Sequence, residues 1–167
     1  MNLKSLSLAA LASTLMATTL SAQAQTEITW WHSMTAVNNE WVNDLAKQFN
    51  ESQKEFKIVP TFKGTYSDSF TAAIAAYRAG QAPHILQVFE VGTATMMASK
   101  GAIVPAGKVM ADAGKKFDTN AYIAAVAGYY TAPNGQMLSF PYNSSTTVLY
   151  INKDAFKAAG MDGDKPP

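Results

Sequence analysis

The sequence predicts an α/β fold with a parallel core sheet and flanking helices. Three observations predict it. Short β-branched and aromatic runs alternate three times with stretches of helical periodicity. Polar or glycine-containing breaks separate them, and Gly80 and Gly101 stop the second and third helices. Strand–helix–strand connections of this kind cross over right-handed, so all three strands point the same way.

In chain order, residues 27–31 (EITWW) read as the first strand. His32-Ser33-Met34-Thr35 reads as a polar break. A helix is predicted over 36–49, with Val37, Trp41, Leu45 and Phe49 recurring every four residues on one face. The second strand is 56–62 (FKIVPTF), and Pro60, which lacks an N–H, fits either a strand near an edge or a strand that ends there. Lys63-Gly64-Thr65 breaks the chain before a helix over 66–79, whose apolar face carries Phe70, Ala73, Ile74 and Tyr77. The third strand is 84–89 (HILQVF). Glu90-Val91-Gly92-Thr93 then leads into a helix ending at residue 100. Beyond it the pattern is less regular. Residues 120–130 are apolar and helix-compatible, Pro133-Asn134-Gly135 signals a turn, 146–152 (TTVLYIN) reads as a strand, and 154–159 as a short helix stopped by Gly160.

Residues 1–24 stand apart. Lys4, an apolar stretch over 6–20 and the small-x-small pattern Ala22-Gln23-Ala24 describe a secretory signal peptide, so the working chain is expected to begin at Gln25 and to be exported. The apolar stretch is too short and too rich in Ser and Thr for a membrane span. The remaining 143 residues suit one ordinary domain, and their eighteen aromatics, in a chain that is 48% apolar overall, supply a core. Without Lys4 the basic and acidic side chains balance at 12 each. No basic stripe appears, so nucleic acid is not an expected partner. With no cysteine, thiolate–zinc, iron–sulfur and cysteine-nucleophile chemistry are excluded. The G-x-S-x-G, P-loop, G-x-G-x-x-G and H-E-x-x-H motifs are absent too, which argues against the common hydrolase and nucleotide-binding classes. No catalytic residue, metal site or cofactor is expected.

In an open parallel sheet, ligands bind beyond the carboxyl ends of the strands. Three loops are expected there, 32–35, 63–66 and 90–93, each leading into a helix N-terminus that favours an anion. The candidate ligands are therefore His32, Ser33, Lys63, Tyr66 and Glu90. Each has a plainer reading. Ser33 and Thr93 are capping residue types, and a cap is the better reading of either alone. Lys63 also fits a solvated turn, Tyr66 a core position with its hydroxyl at the surface, and Glu90 a surface loop. His84, beside Pro83, reads as structural.

Longer stretches carry a family resemblance: WHSM at 31–34, KIVPTFKGTY at 57–66, IAAYRAGQAP at 74–83, ILQVFEVGTATMMASK at 85–100 and PYNSSTTVLYINKDAFKAAG at 141–160. With these the chain resembles the periplasmic solute-binding proteins of ABC importers (extracellular solute-binding protein family 1), and within them the glycerol 3-phosphate binders. The resemblance is weakest over 101–136. It implies a two-lobed clamp, with residues 25–143 as the first lobe and 144–167 as the hinge and start of a second lobe that continues in longer members. It implies capture of sn-glycerol 3-phosphate and glycerophosphodiesters, the membrane subunits of an ABC transporter as partners, and a monomer. A related oligosaccharide binder is the alternative, and an exported phosphodiesterase a third reading from another class. The family's contact positions fall on Tyr66, Glu90 and Ser145; the last rests on resemblance alone.

Overall fold

A computed structural model describes residues 24–99 and 101–165, so the expected signal peptide lies, except for Ala24, outside the described residues. The chain forms two compact units that divide after Phe89.

The first unit contains β1 (Thr26–His32), α1 (Ala36–Ser52), β2 (Phe56–Phe62), α2 (Tyr66–Arg78) and β3 (Ile85–Leu86). Its sheet has the order β2-β1-β3 with both pairings parallel, as the alternation predicts. β1 pairs along its whole length with β2, from Thr26 opposite Phe56 to His32 opposite Phe62. The Lys63 N–H adds a further rung to the His32 carbonyl at 2.9 Å.

Pro60 sits in the edge strand, and the register shows why it is tolerated. The main chain of Ile58 faces away from β1. The Asn50 side chain, from α1, accepts from the Ile58 N–H at 2.7 Å and donates to its carbonyl at 2.9 Å. Pro60 is in the same phase two residues later, so its missing N–H removes no bond to β1. Asn50 thereby covers an otherwise unpaired stretch of sheet edge.

β3 is shorter than the predicted 84–89. Side chains continue its ladder in both directions. The Thr29 N–H donates to Nδ1 of His84 at 3.1 Å, and the His84 N–H donates to Thr29 Oγ1 at 3.2 Å. Past the strand, the Gln87 N–H donates to the Trp31 carbonyl, while the Gln87 side-chain oxygen accepts from the Ser33 N–H, both at 2.9 Å. The structural reading of His84 holds.

α1 departs from expectation in the face it buries. Val42, fully buried, and Ala46 point inward, whereas Val37 is 71% exposed and Trp41, Leu45 and Phe49 also lie at the surface. A four-residue spacing on a helix of 3.6 residues per turn advances by about 40° each step, so this row winds round the helix instead of lining one side. The small Ala46 allows close approach to the sheet.

α2 begins with a capping box that the sequence reading did not identify. Thr65 Oγ1 accepts from the Asp68 N–H, and Asp68 Oδ2 accepts from the Thr65 N–H and hydroxyl. Gly64 (φ +83°) turns the chain into it, and a Cβ there would come within 2.9 Å of the Asp68 carboxylate. Gly80 (φ +70°) ends the helix as predicted.

The second unit contains α3 (Glu90–Ala98), α4 (Ala106–Asp112), a 3₁₀ turn (Thr119–Ala121), α5 (Ala124–Tyr129) and α6 (Lys153–Ala158). The predicted turn is present. Gly135 has φ +82°, and Thr131 bridges Met137 in antiparallel fashion. This hairpin supports α4, which the sequence reading missed. The Ala106 and Gly107 N–H groups donate to the Leu138 and Met137 carbonyls, both at 3.2 Å. The helix start is thus satisfied by a distant main chain instead of a local capping side chain. Met137, Ala106 and Ala127 are buried. Asn152 caps α6 through the Asp154 and Ala155 N–H groups.

Two expectations need correction in this unit. Residues 90–93 form no loop, because α3 starts at Glu90 itself. Residues 146–152 form no strand among the described residues. Val148, Leu149 and Tyr150 are exposed, the last by 92%. The β-prone composition is there, but no edge pairs with it.

Candidate functional site

The carboxyl ends of β1 and β2 and the stretch following β3 gather a distinct set of side chains in the first unit. Parallel pairing brings the end of β2 beside the end of β1, and the three residues after it, Lys63, Gly64 and the N-cap Thr65, carry the chain up to α2. The Lys63 ammonium nitrogen lies over the Trp31 ring, 4.0 Å from its centroid. Tyr66, the first residue of α2, stacks on Phe89 with centroids 5.5 Å apart and planes inclined by 9°. Phe70 meets the same Phe89 edge-on at 6.2 Å. One cation and a row of aromatic faces therefore occupy the sheet end that the topology indicated, with Lys63 and Tyr66 both half-buried.

His32 and Ser33 are arranged otherwise than predicted. His32 is the last residue of β1 and not part of a break. It is 1% exposed, lies between Trp30 and Phe62 at 6.0 and 6.1 Å between ring centroids, and accepts the Met34 N–H on Nδ1 at 3.3 Å. Burial pushes its pKa below the ordinary 6.5, because an apolar setting disfavours the cation. It is a neutral core histidine and not a surface ligand. Ser33 caps no helix: the N-cap of α1 is Thr35, which makes no side-chain cap bond. The Ser33 hydroxyl is closed off from water with no hydrogen-bond partner. Thr93 is not a cap either, since it lies inside α3.

The general expectation of an anion-ready helix start also changes for α2. The Thr65 hydroxyl and N–H hold the Asp68 carboxylate there and keep its pKa below the usual carboxylate value. That helix terminus already has its negative charge.

Glu90 and Ser145 belong to the second unit. Glu90 opens α3 and is exposed, and its side chain makes no hydrogen bond or ion pair among the described residues. An acidic residue in a first helical turn is electrostatically favourable without any ligand. Ser145 is exposed in a stretch without regular structure. Among the described residues no cluster of His, Asp or Glu is suited to a metal ion. No helix there is long and apolar enough to cross a membrane.

The sequence reading missed three members of the first unit's site. Gln87 was hidden inside a predicted strand. Trp31 read only as a strand residue, and its role depends on where Lys63 folds back. The Thr65–Asp68 box did carry a local signal, a threonine followed three residues later by an acid.

A parallel sheet with cation and aromatic groups beyond its strand ends suits the non-covalent capture of a small polar solute. The chain belongs to the bacterial extracellular solute-binding proteins, whose family model matches residues 35–167. It is 58% identical over 146 residues to the sn-glycerol-3-phosphate-binding periplasmic protein UgpB of Brucella abortus (strain 2308), covering 87% of this chain and 34% of that protein. The UgpB of Agrobacterium fabrum is 52% identical over 169 residues, covering 100% of this chain and 39% of the relative. That of Pectobacterium atrosepticum is 57% identical over 147 residues, covering 87% and 33%. The chain thus spans about a third of the length of these curated relatives, all named as binding proteins. Among solved structures, CpMnBP1 with mannotriose bound matches with a TM-score of 0.60 at 22% identity, covering 86% of this chain and 35% of that one. At that identity the likeness establishes the fold alone.

Proposed function

We propose that this chain is the leading part of the substrate-binding component of an ABC importer, which captures sn-glycerol 3-phosphate and glycerophosphodiesters in the periplasm. The observation that carries the reading is the 52–58% identity to proteins named for glycerol 3-phosphate binding, maintained over 87–100% of this chain. The membrane subunits of the importer are its partners, and it works as a monomer without catalysing a reaction. Residues 25–143 form the first lobe, and residues 144–167 the hinge and opening of a second.

Tyr66 meets the ligand with its hydroxyl and one ring face, the other face being stacked on Phe89. Glu90 accepts hydrogen bonds from the polyol hydroxyls, since a carboxylate set against a phosphate would be repelled. Ser145 contributes a hydroxyl. Isothermal titration of the full-length protein with glycerol 3-phosphate, glycerophosphocholine and maltotriose tests the reading. Binding of the two phosphates but not of the sugar is expected; tight binding of the sugar alone would replace it with an oligosaccharide carrier.

A further inference from the structure

We propose that Lys63 is the cation through which the first unit attracts and holds the acidic group of the solute, a phosphate ester. This deepens the proposed function and rests on it.

The case begins with how Lys63 is held. Its N–H is bonded to the His32 carbonyl at 2.9 Å, which fixes its backbone at the sheet end. Gly64 then turns the chain, and the side chain lies back over Trp31 with Nζ 4.0 Å from the ring centroid. An aromatic face orients an ammonium group without neutralising it. A carboxylate partner would neutralise it. Among the described residues the ion pairs join Lys57 to Glu27, Lys108 to Asp112 and Lys153 to Asp164, and Lys63 enters none of them. It makes no hydrogen bond through Nζ there either, so its three N–H donors are available to a ligand. Half-burial marks it off from a lysine that simply extends into water.

The other positive groups near this sheet end are less suitable. The start of α2 carries Asp68, so an incoming phosphate would meet like charge. Arg78 stands in the last turn of α2, at the opposite end of that helix. His32 is buried and neutral-favouring. Lys63 is the one remaining cation in these loops. Its place three residues before Tyr66 puts charge recognition and ring packing on the same short segment.

The test uses the full-length protein with Lys63→Met, Lys63→Gln and Lys63→Arg, each checked for an unchanged circular dichroism spectrum and melting temperature. Glycerol 3-phosphate and glycerol are titrated at several salt concentrations. Lys63→Met and Lys63→Gln are expected to weaken glycerol 3-phosphate binding by about ten- to a hundredfold and to flatten its salt dependence. Lys63→Arg should retain most of the affinity, and any weak glycerol binding should stay unchanged. Undiminished glycerol 3-phosphate affinity in the Met and Gln variants overturns the role of Lys63 while leaving the proposed function standing. Wild-type protein that ignores glycerol 3-phosphate yet binds another phosphomonoester, and loses it with Lys63→Met, retains the role of Lys63 and overturns the proposed ligand. Binding of uncharged sugars alone overturns both.

Discussion

At the scale of single residues, one short segment shows how chemistry follows from chain direction. Lys63 through Tyr66 supplies in four positions a cation laid on an aromatic ring, a left-handed turn, a helix cap and a stacked tyrosine. Parallel topology was enough to place Lys63 and Tyr66 beyond the strand ends, because it fixes which loops stand there. It was not enough for His32. Polar residues after a strand read as a loop, but alternation along β1 directs this one inward between Trp30 and Phe62. The consequence is a pH dependence. The folded pKa of His32 lies below the unfolded 6.5, so the unfolded state binds more protons as the solution is acidified. The stability contributed by neutral His32 is complete above about pH 6.5 and declines as pH falls through the folded value. Urea melts between pH 7 and 5.5 should show this decline for the wild type and a smaller one for His32→Gln; equal slopes would contradict it. Glu90 gives the corresponding test of binding. Glu90→Ala in the full-length protein should weaken glycerol 3-phosphate binding by about 2–4 kcal/mol by calorimetry, as expected for a charged acceptor that the ligand's hydroxyls engage. An unchanged affinity would return Glu90 to its role as a helix-start acid.

At the scale of elements, what was legible is what is local. The alternation of strand and helix, the glycine stops and the turn at Gly135 all appear in the structure because each depends on residues a few positions apart. What was not legible depends on distant partners. β3 contracts to two residues because the His84 and Gln87 side chains take over its pairing with β1. α4 starts where hairpin carbonyls accept its first N–H groups. Residues 146–152 have strand composition but no adjoining edge among the described residues, so propensity alone gives no strand. Asn50 is the most exact of these distant ties, since its amide engages both main-chain groups of Ile58. Asn50→Ala would leave them to water or to no partner and should lower stability by about 1–2 kcal/mol. Chemical denaturation checks this, with Asn43→Ala, at an exposed position on the same helix, as the near-neutral comparison.

At the scale of the whole molecule, the described residues form two units that each carry part of the proposed ligand set. Lys63 and Tyr66 lie in the first, Glu90 and Ser145 in the second. The family match over residues 35–167 runs through both units. Capture of a solute needs donors, acceptors and ring faces that enclose it and then release it. The central claim is that a phosphate-bearing polyol is the solute. Calorimetric titration of glycerol 3-phosphate into the full-length protein tests it most directly. The account predicts saturable one-to-one binding at micromolar or tighter affinity, of about 8 kcal/mol or more, that weakens with added salt. No heat with glycerol 3-phosphate or its diesters, alongside saturable binding of an uncharged oligosaccharide, would contradict it.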